Sequence, residues 1–187
     1  MSRLDKLEPE SLAPDQRELY DSIARGPRAR GRQAFSLTDA DGRLEGPFNA
    51  MLLSPRLGGA LQEVGAAVRY ASALSDRSRE IAILLVAHHW GSEFEVYAHE
   101  AVGAAVGLGS DELADLRAGR LDGLAADERP VAEAVVALAS RGDLDDAEYA
   151  AALAALGEAT LFELTTLVGY YATLALQLRV FRVGVPE

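Results

Sequence analysis

The sequence contains no cysteine. That absence excludes disulfides, thiolate nucleophiles, Cys-ligated zinc and iron–sulfur clusters, so any chemistry must rest on carboxylates, histidines and hydroxyls. A basic surplus is lacking too: the 187 residues carry a formal charge of −11, which opposes binding to polyanions, since nucleic-acid affinity comes largely from Lys and Arg neutralising phosphates. Nucleic acid is therefore not an expected partner. The chain is 49% hydrophobic, yet no run reaches the roughly 18–20 uninterrupted apolar residues of a membrane span. The segment from Leu161 to Val185 comes closest, but Glu163, Gln177, Arg179 and Arg182 interrupt it. A buried helix is the expected reading there, with no membrane partner. The opening Met1-Ser2-Arg3-Leu4-Asp5-Lys6 has no apolar stretch after its positive charge, so cytoplasmic residence is expected rather than secretion.

What is present is helical periodicity. The length suits a single domain over residues 1–187, with 1–47 an N-terminal helix and irregular arm and 48–187 a helical core. Pro14 stands at a first-turn position, and Gly26-Pro27 stops the helix that follows. From Gly26 to Gly46 no period holds, which marks a functional loop or a docking arm. Its Arg25, Arg28, Arg30 and Arg32 form either a solvated basic stretch or a contact to an anionic substrate or an acidic neighbouring subunit. Leu57, Leu61, Val64, Val68 and Ala71 recur as one helical face. Ser75 or Asp76 caps the next helix, whose body from Glu80 to Ala87 is apolar on nearly every side and predicts a central, fully buried element. Gly91 breaks it and Ser92 restarts a helix to about Val106. A surface helix begins at Ser110, Pro130 to Ser140 and Asp145 to Leu156 form an antiparallel pair, and Thr160-Leu161-Phe162-Glu163 reads as a capping box. The final helix carries Leu164, Leu167, Val168, Tyr171, Leu174 and Leu178 on one stripe, placed to pack along the central helix. No strand is expected.

All three histidines and the only tryptophan fall between Glu80 and Glu100, together with several carboxylates. Glu95 and His99 are four apart, so their side chains share a helix face. Two readings stay open for Ser92 and Glu95. Ser92-Glu93-Phe94-Glu95 is itself a capping box, and a capped helix N-terminus is also a place where an anion is stabilised. His99 is either a core histidine satisfied by Glu95 or a backbone carbonyl, or a site residue. Glu80 precedes an apolar run and needs a partner there. A metal held by Glu95, His99 and one of His88 and His89 is a further alternative, but no zincin-type spacing is present, so no metal and no cofactor is expected.

The order Glu80, eleven residues, Ser92, two residues, Glu95, three residues, His99 resembles the motif of the carboxymuconolactone decarboxylase and alkyl hydroperoxidase D superfamily. In its peroxidase branch Ser92 and Glu95 stand where the redox cysteines stand, and Phe94 stands where a further histidine is usual, so thiol-based hydroperoxide reduction is out of reach. Gly46-Pro47-Phe48-Asn49-Ala50-Met51-Leu52, Ser54-Pro55-Arg56-Leu57, Trp90-Gly91-Ser92-Glu93-Phe94-Glu95 and Gly169-Tyr170-Tyr171 look like the cysteine-free decarboxylase-like branch, over roughly Leu12 to Pro186. The resemblance implies an all-α, alkyl hydroperoxidase D-like helical bundle assembling as a homo-oligomer, dimer to hexamer, with its site at a subunit contact. It implies a cofactor-free lyase or isomerase acting by proton transfer on a small organic acid or lactone in aromatic-compound breakdown. His99 would move the proton, Glu80 would orient it, Glu95 would be a second acid or base, and Ser92 would hold an oxyanion. Phe48, Asn49, His89, Trp90 and Tyr170 are candidates to line the substrate. The competing expectation is a non-catalytic helical oligomer or ligand-binding protein that kept the scaffold after losing the cysteines.

Overall fold

The structure, a computed structural model, describes residues 2–26, 29 and 35–186. Arg28, Arg30 and Arg32 lie outside them. Among the described residues there are eight α-helices and no strand, only an isolated antiparallel bridge between Thr38 and Leu44. A 3₁₀ turn at Pro9–Ser11 precedes α1 (Pro14–Ala24), and α2 (Pro47–Met51) and α3 (Pro55–Tyr70) follow the loop. The proline at the start of each of these helices costs no hydrogen bond, since a first-turn N–H has no helical partner.

The centre is α4 (Asp76–Trp90), which packs against α5 (Glu93–Ala105), α7 (Arg129–Arg141) and α8 (Asp146–Phe181). Every residue from Ser78 to Ala87 is buried, because no face of that segment is polar enough to meet water. Ser75 caps α4 by accepting from the Ser78 amide over 3.0 Å. Gly91 ends it in the left-handed region at φ 60°, a conformation glycine adopts without steric cost. The short α6 (Ser110–Arg117) lies beside α4, and α7 packs on the first part of α8. Gly157, at φ 75° and ψ 165°, kinks α8 where the sequence pattern ends one helix and starts another. By length and composition α8 could cross a membrane, but its stripe of Leu164, Leu167, Val168, Tyr171, Leu174 and Leu178 is buried in the core of this bundle.

Three expectations need correction. The apolar spacing on α3 marks its buried face only in part: Val68 is buried and Leu61 packs on the core, but Leu57 and Val64 are 60% and 39% exposed, and Gly58 and Gly65 are buried in their place. Glycine lets the α3 backbone come close, since a Cβ at Gly65 would lie 2.2 Å from the Tyr170 hydroxyl and one at Gly58 2.3 Å from the Met51 carbonyl oxygen. Thr160 and Glu163 form no capping box because the helix runs straight through them. Glu163 reaches across instead, accepting from Ser72 Oγ (2.9 Å) and the Ala73 amide (2.8 Å) in the turn before α4. Nor is Ser92 to Glu95 a capping box. Ser92 is the N-cap of α5 by position but its side chain caps nothing. The tight turn at Gly91, closed by the Ser92 amide donating to Ala87 O over 2.9 Å, leaves both Ser92 and Glu95 buried.

Candidate functional site

The site lies where α3, α4, α5 and the second half of α8 meet, closed on one side by the Pro47-Phe48 turn. Glu80 comes from the first turns of α4 and is 0% exposed. His99 comes from α5, and its Nδ1 donates to Glu80 Oε2 over 2.6 Å. An ionised carboxylate only accepts, so it assigns a proton to Nδ1, and in the neutral ring Nε2 is then the acceptor. Tyr171 of α8 braces the imidazole edge-on, with ring centroids 5.2 Å apart at 89°, and Tyr170 packs on Tyr171 at 5.1 Å and 87°.

The two carboxylates sit in opposite environments. Burial pushes the Glu80 carboxyl up, but the His99 ring, its hydrogen bond and the Arg69 and Arg79 guanidinium groups outweigh it and hold the group below its ordinary range. Glu95, 2% exposed on α5, has neither oxygen in a hydrogen bond of normal geometry among the described residues. Burial pushes its carboxyl up from 4.5 to about 8, opposed only in part by the nearby Ser92 hydroxyl. At neutral pH the site therefore holds one ionised carboxylate and one protonated carboxylic acid, a division that suits a base and an acid acting together.

Glu95 and His99 line a common cavity of about 30 Å³ with Arg69, Tyr170, Tyr171, Phe48 and Phe94. That is room for roughly one water molecule. Phe35 closes it, packing edge-on against Phe94 with centroids 5.9 Å apart, and the same Phe35 side chain borders an open groove with Leu37 and Tyr97. A larger cleft, about 460 Å³ between α7 and the start of α8, contains none of these groups.

Of the residues singled out in the sequence, Glu80, Glu95, His99, Phe48 and Tyr170 come together here. Ser92 is buried beside Glu95 but does not line the cavity. Asn49 is turned to the N-terminal segment, accepting from the Leu7 amide (2.9 Å) and donating to Asp5 O (3.1 Å). His89 is exposed at the end of α4 with its ring against Trp90, and the Trp90 carbonyl accepts from Arg179 over 2.6 Å. None of Asn49, His89 and Trp90 lines the cavity. Among the described residues no group of three or more His, Asp or Glu side chains is arranged to hold a metal ion.

Sequence reasoning missed Arg69 and Tyr171 as site residues. Tyr171 appears in the pattern as part of a core stripe and of the Gly169-Tyr170-Tyr171 motif, with no site role given to it. Arg69 left a faint signal, a cation four residues after Gly65 on a helix otherwise lined here by Ala66, Ala67 and Val68.

Eight helices among the described residues, with α4 buried at their centre and a glutamate and a histidine meeting across the turn between α4 and α5, form an all-α fold of the alkyl hydroperoxidase D type. Two solved structures share it. An uncharacterised peroxidase-related protein from Silicibacter sp. TM1040 superposes with a TM-score of 0.76 at 12% identity, over 97% of this chain and 90% of that one. An uncharacterised peroxidase-related protein with an alkylhydroperoxidase AhpD core, from Ralstonia eutropha JMP134, superposes with a TM-score of 0.77 at 12% identity, over 100% and 93%. No protein-family model and no curated protein matches the sequence.

Proposed function

We propose that this chain is a cofactor-free lyase or isomerase that transfers a proton on a small organic acid or lactone. The observation that carries the reading is the buried Glu80–His99 pair at 2.6 Å, sharing its site with a second carboxyl group kept protonated at neutral pH. In an isomerisation, His99 Nε2 takes a proton from the carbon beside a carbonyl and the C–H electron pair moves into that carbonyl. Glu95 donates a hydrogen bond to the resulting enolate oxygen, Glu80 stabilises the imidazolium, and His99 returns the proton to a different carbon. In a decarboxylation the C–CO₂ electron pair moves into that carbonyl as carbon dioxide leaves, and the carbon left behind takes a proton from His99 Nε2, which must first have been protonated from solvent. The neighbours' descriptions speak of peroxidase-related proteins, but thiol peroxidase chemistry needs a sulfur nucleophile that this sequence lacks. Entry of a substrate requires the Phe35 side chain to move, since the cavity of about 30 Å³ admits little more than water.

The test is turnover of a panel of lactones and unsaturated acids. His99→Ala and Glu80→Gln should each lower it by about 10²–10⁴-fold. The double variant should lose little more, as groups acting as a unit are non-additive. Near-wild-type turnover by His99→Ala, or independent multiplication of the two losses, refutes the assignment. The small cavity favours a second reading, a non-catalytic ligand-binding helical protein. Solvent deuterium separates the two, because an acid that binds without incorporating deuterium at any carbon supports binding alone.

The proposal includes self-association. Phe162, Thr165, Gly169, Thr173, Leu176 and Val180 lie on one exposed face of α8 and carry no charge over five turns. Phe162 is 72% exposed and Leu176 and Val180 are each 50% exposed, an apolar area of the kind a second copy covers.

A further inference from the structure

Among the described residues lining the cavity, Arg69 bears the fixed positive charge, and proton transfer gives it no task. It projects from α3 beside Tyr171. Burial opposes its charge, but Tyr171, including a hydrogen bond to that side chain, and the Glu80 carboxylate keep the guanidinium protonated. Its Nε is shut off from solvent and has no hydrogen-bond partner among the described residues. A buried donor of a charged group left unmade is costly, so a ligand that supplies the missing acceptor recovers that cost on binding.

The surroundings narrow the ligand. Glu95, protonated at neutral pH, adds an O–H donor, while Phe48, Phe94 and Leu174 form apolar wall. Of the described charged or acidic side chains only Arg69 and Glu95 line the cavity with His99, while the Glu80 carboxylate behind them is taken up by His99 and already offsets part of the Arg69 charge, so at most a monoanion is matched and a phosphate dianion would bring more charge and bulk than the site meets. The planar guanidinium fork matches a carboxylate in geometry.

We propose that Arg69 receives the carboxylate of a small, flat monoanionic acid whose body lies against Phe48, Phe94 and Leu174, and thereby sets which atom of that acid faces His99. The last clause rests on the proton-transfer reading, whereas capture of the anion does not, so the two fail separately.

Benzoate and its neutral isostere benzamide are the probes, titrated into the full-length chain by calorimetry with thermal midpoints in parallel. Benzoate should bind the wild type and raise its midpoint, and benzamide at equal concentration should bind at least about tenfold more weakly. Arg69→Gln should lose about 10–100-fold in benzoate affinity, Arg69→Lys should keep part of it because the charge remains, and Arg141→Gln, at a surface cation outside the cavity, should stay within about threefold of wild type. The Lys variant keeps the test valid if the Gln variant fails to fold. Equal affinity for benzoate and benzamide overturns the proposal, as does unchanged benzoate binding in Arg69→Gln, or no benzoate binding to the wild type at about 10 mM. Arg69-dependent benzoate binding in a protein that turns over no acid of the panel upholds this site and defeats the proton-transfer reading.

Discussion

Replacing Glu95 with glutamine should flatten the protein's loss of stability between mildly acidic and mildly alkaline pH. In the folded chain burial holds the Glu95 carboxyl at about 8, against 4.5 when it is unfolded and solvated. Between those two pH values the folded state keeps a proton that the unfolded state has released, so stability falls as pH rises through the window and levels off above about 8, where both states are ionised. At ~1.36 kcal/mol per pH unit, the gap corresponds to about 5 kcal/mol at most. Water drawn toward the ionised group and reorientation of the Ser92 hydroxyl reduce this, so a loss of about 2–4 kcal/mol attributable to Glu95 is expected. Glutamine has nearly the same shape and cannot ionise. Its buried amide adds a cost of about 1–3 kcal/mol that does not vary with pH. Urea unfolding at intervals from pH 5 to 9 measures this directly, provided the urea dependence itself stays constant. Both proteins contain the same three histidines, so the difference between the two curves isolates Glu95. Parallel pH profiles for wild type and Glu95→Gln would show that the carboxyl is hydrated or bonded in solution, and the acid role assigned to it would fall.

Ser92→Ala should change stability by no more than about 0.5 kcal/mol, because the hydroxyl caps no helix, but it should move the Glu95-dependent limb to higher pH by removing the one polar neighbour that opposes the shift. A loss of more than about 1 kcal/mol in urea unfolding would restore the cap. Gly65→Ala should cost about 1–3 kcal/mol, since its Cβ would meet the Tyr170 hydroxyl at 2.2 Å, and should also disturb benzoate binding; an unchanged thermal midpoint counts against the close approach of α3 to α8. Leu176→Glu should shift the light-scattering mass toward the 19.9 kDa monomer without changing the helical circular dichroism, and a wild type that is already monomeric at micromolar concentration removes the self-association proposal.

Much of the helical framework could be read directly from the residues. Ten consecutive buried residues of α4 admit one solution, a central helix, because no rotation of that segment would put a polar face in water. Gly91, Gly142 and Gly157 stop or kink helices where the pattern breaks, because a positive φ is a property of the residue itself. The spacing from Glu80 to His99 singled out residues that the fold brings together, and Glu95 and His99 share a face by helical geometry alone. Only the tertiary structure decided the rest. Glu80 meets His99 because α4 and α5 fold back at Gly91, and Arg69 and Tyr171 join them from α3 and α8, contacts that no local period encodes. The same limit explains the errors. Leu57 and Val64 on α3, Thr160 with Glu163 on α8 and Ser92 with Glu95 on α5 all obey local rules of spacing or capping, and each was overruled by what packs against it. Periodicity and turn chemistry act within about one helical turn, whereas the burial that keeps Glu95 protonated, and the His99, Arg69 and Arg79 groups that outweigh it at Glu80, come together from several helices only once these have packed.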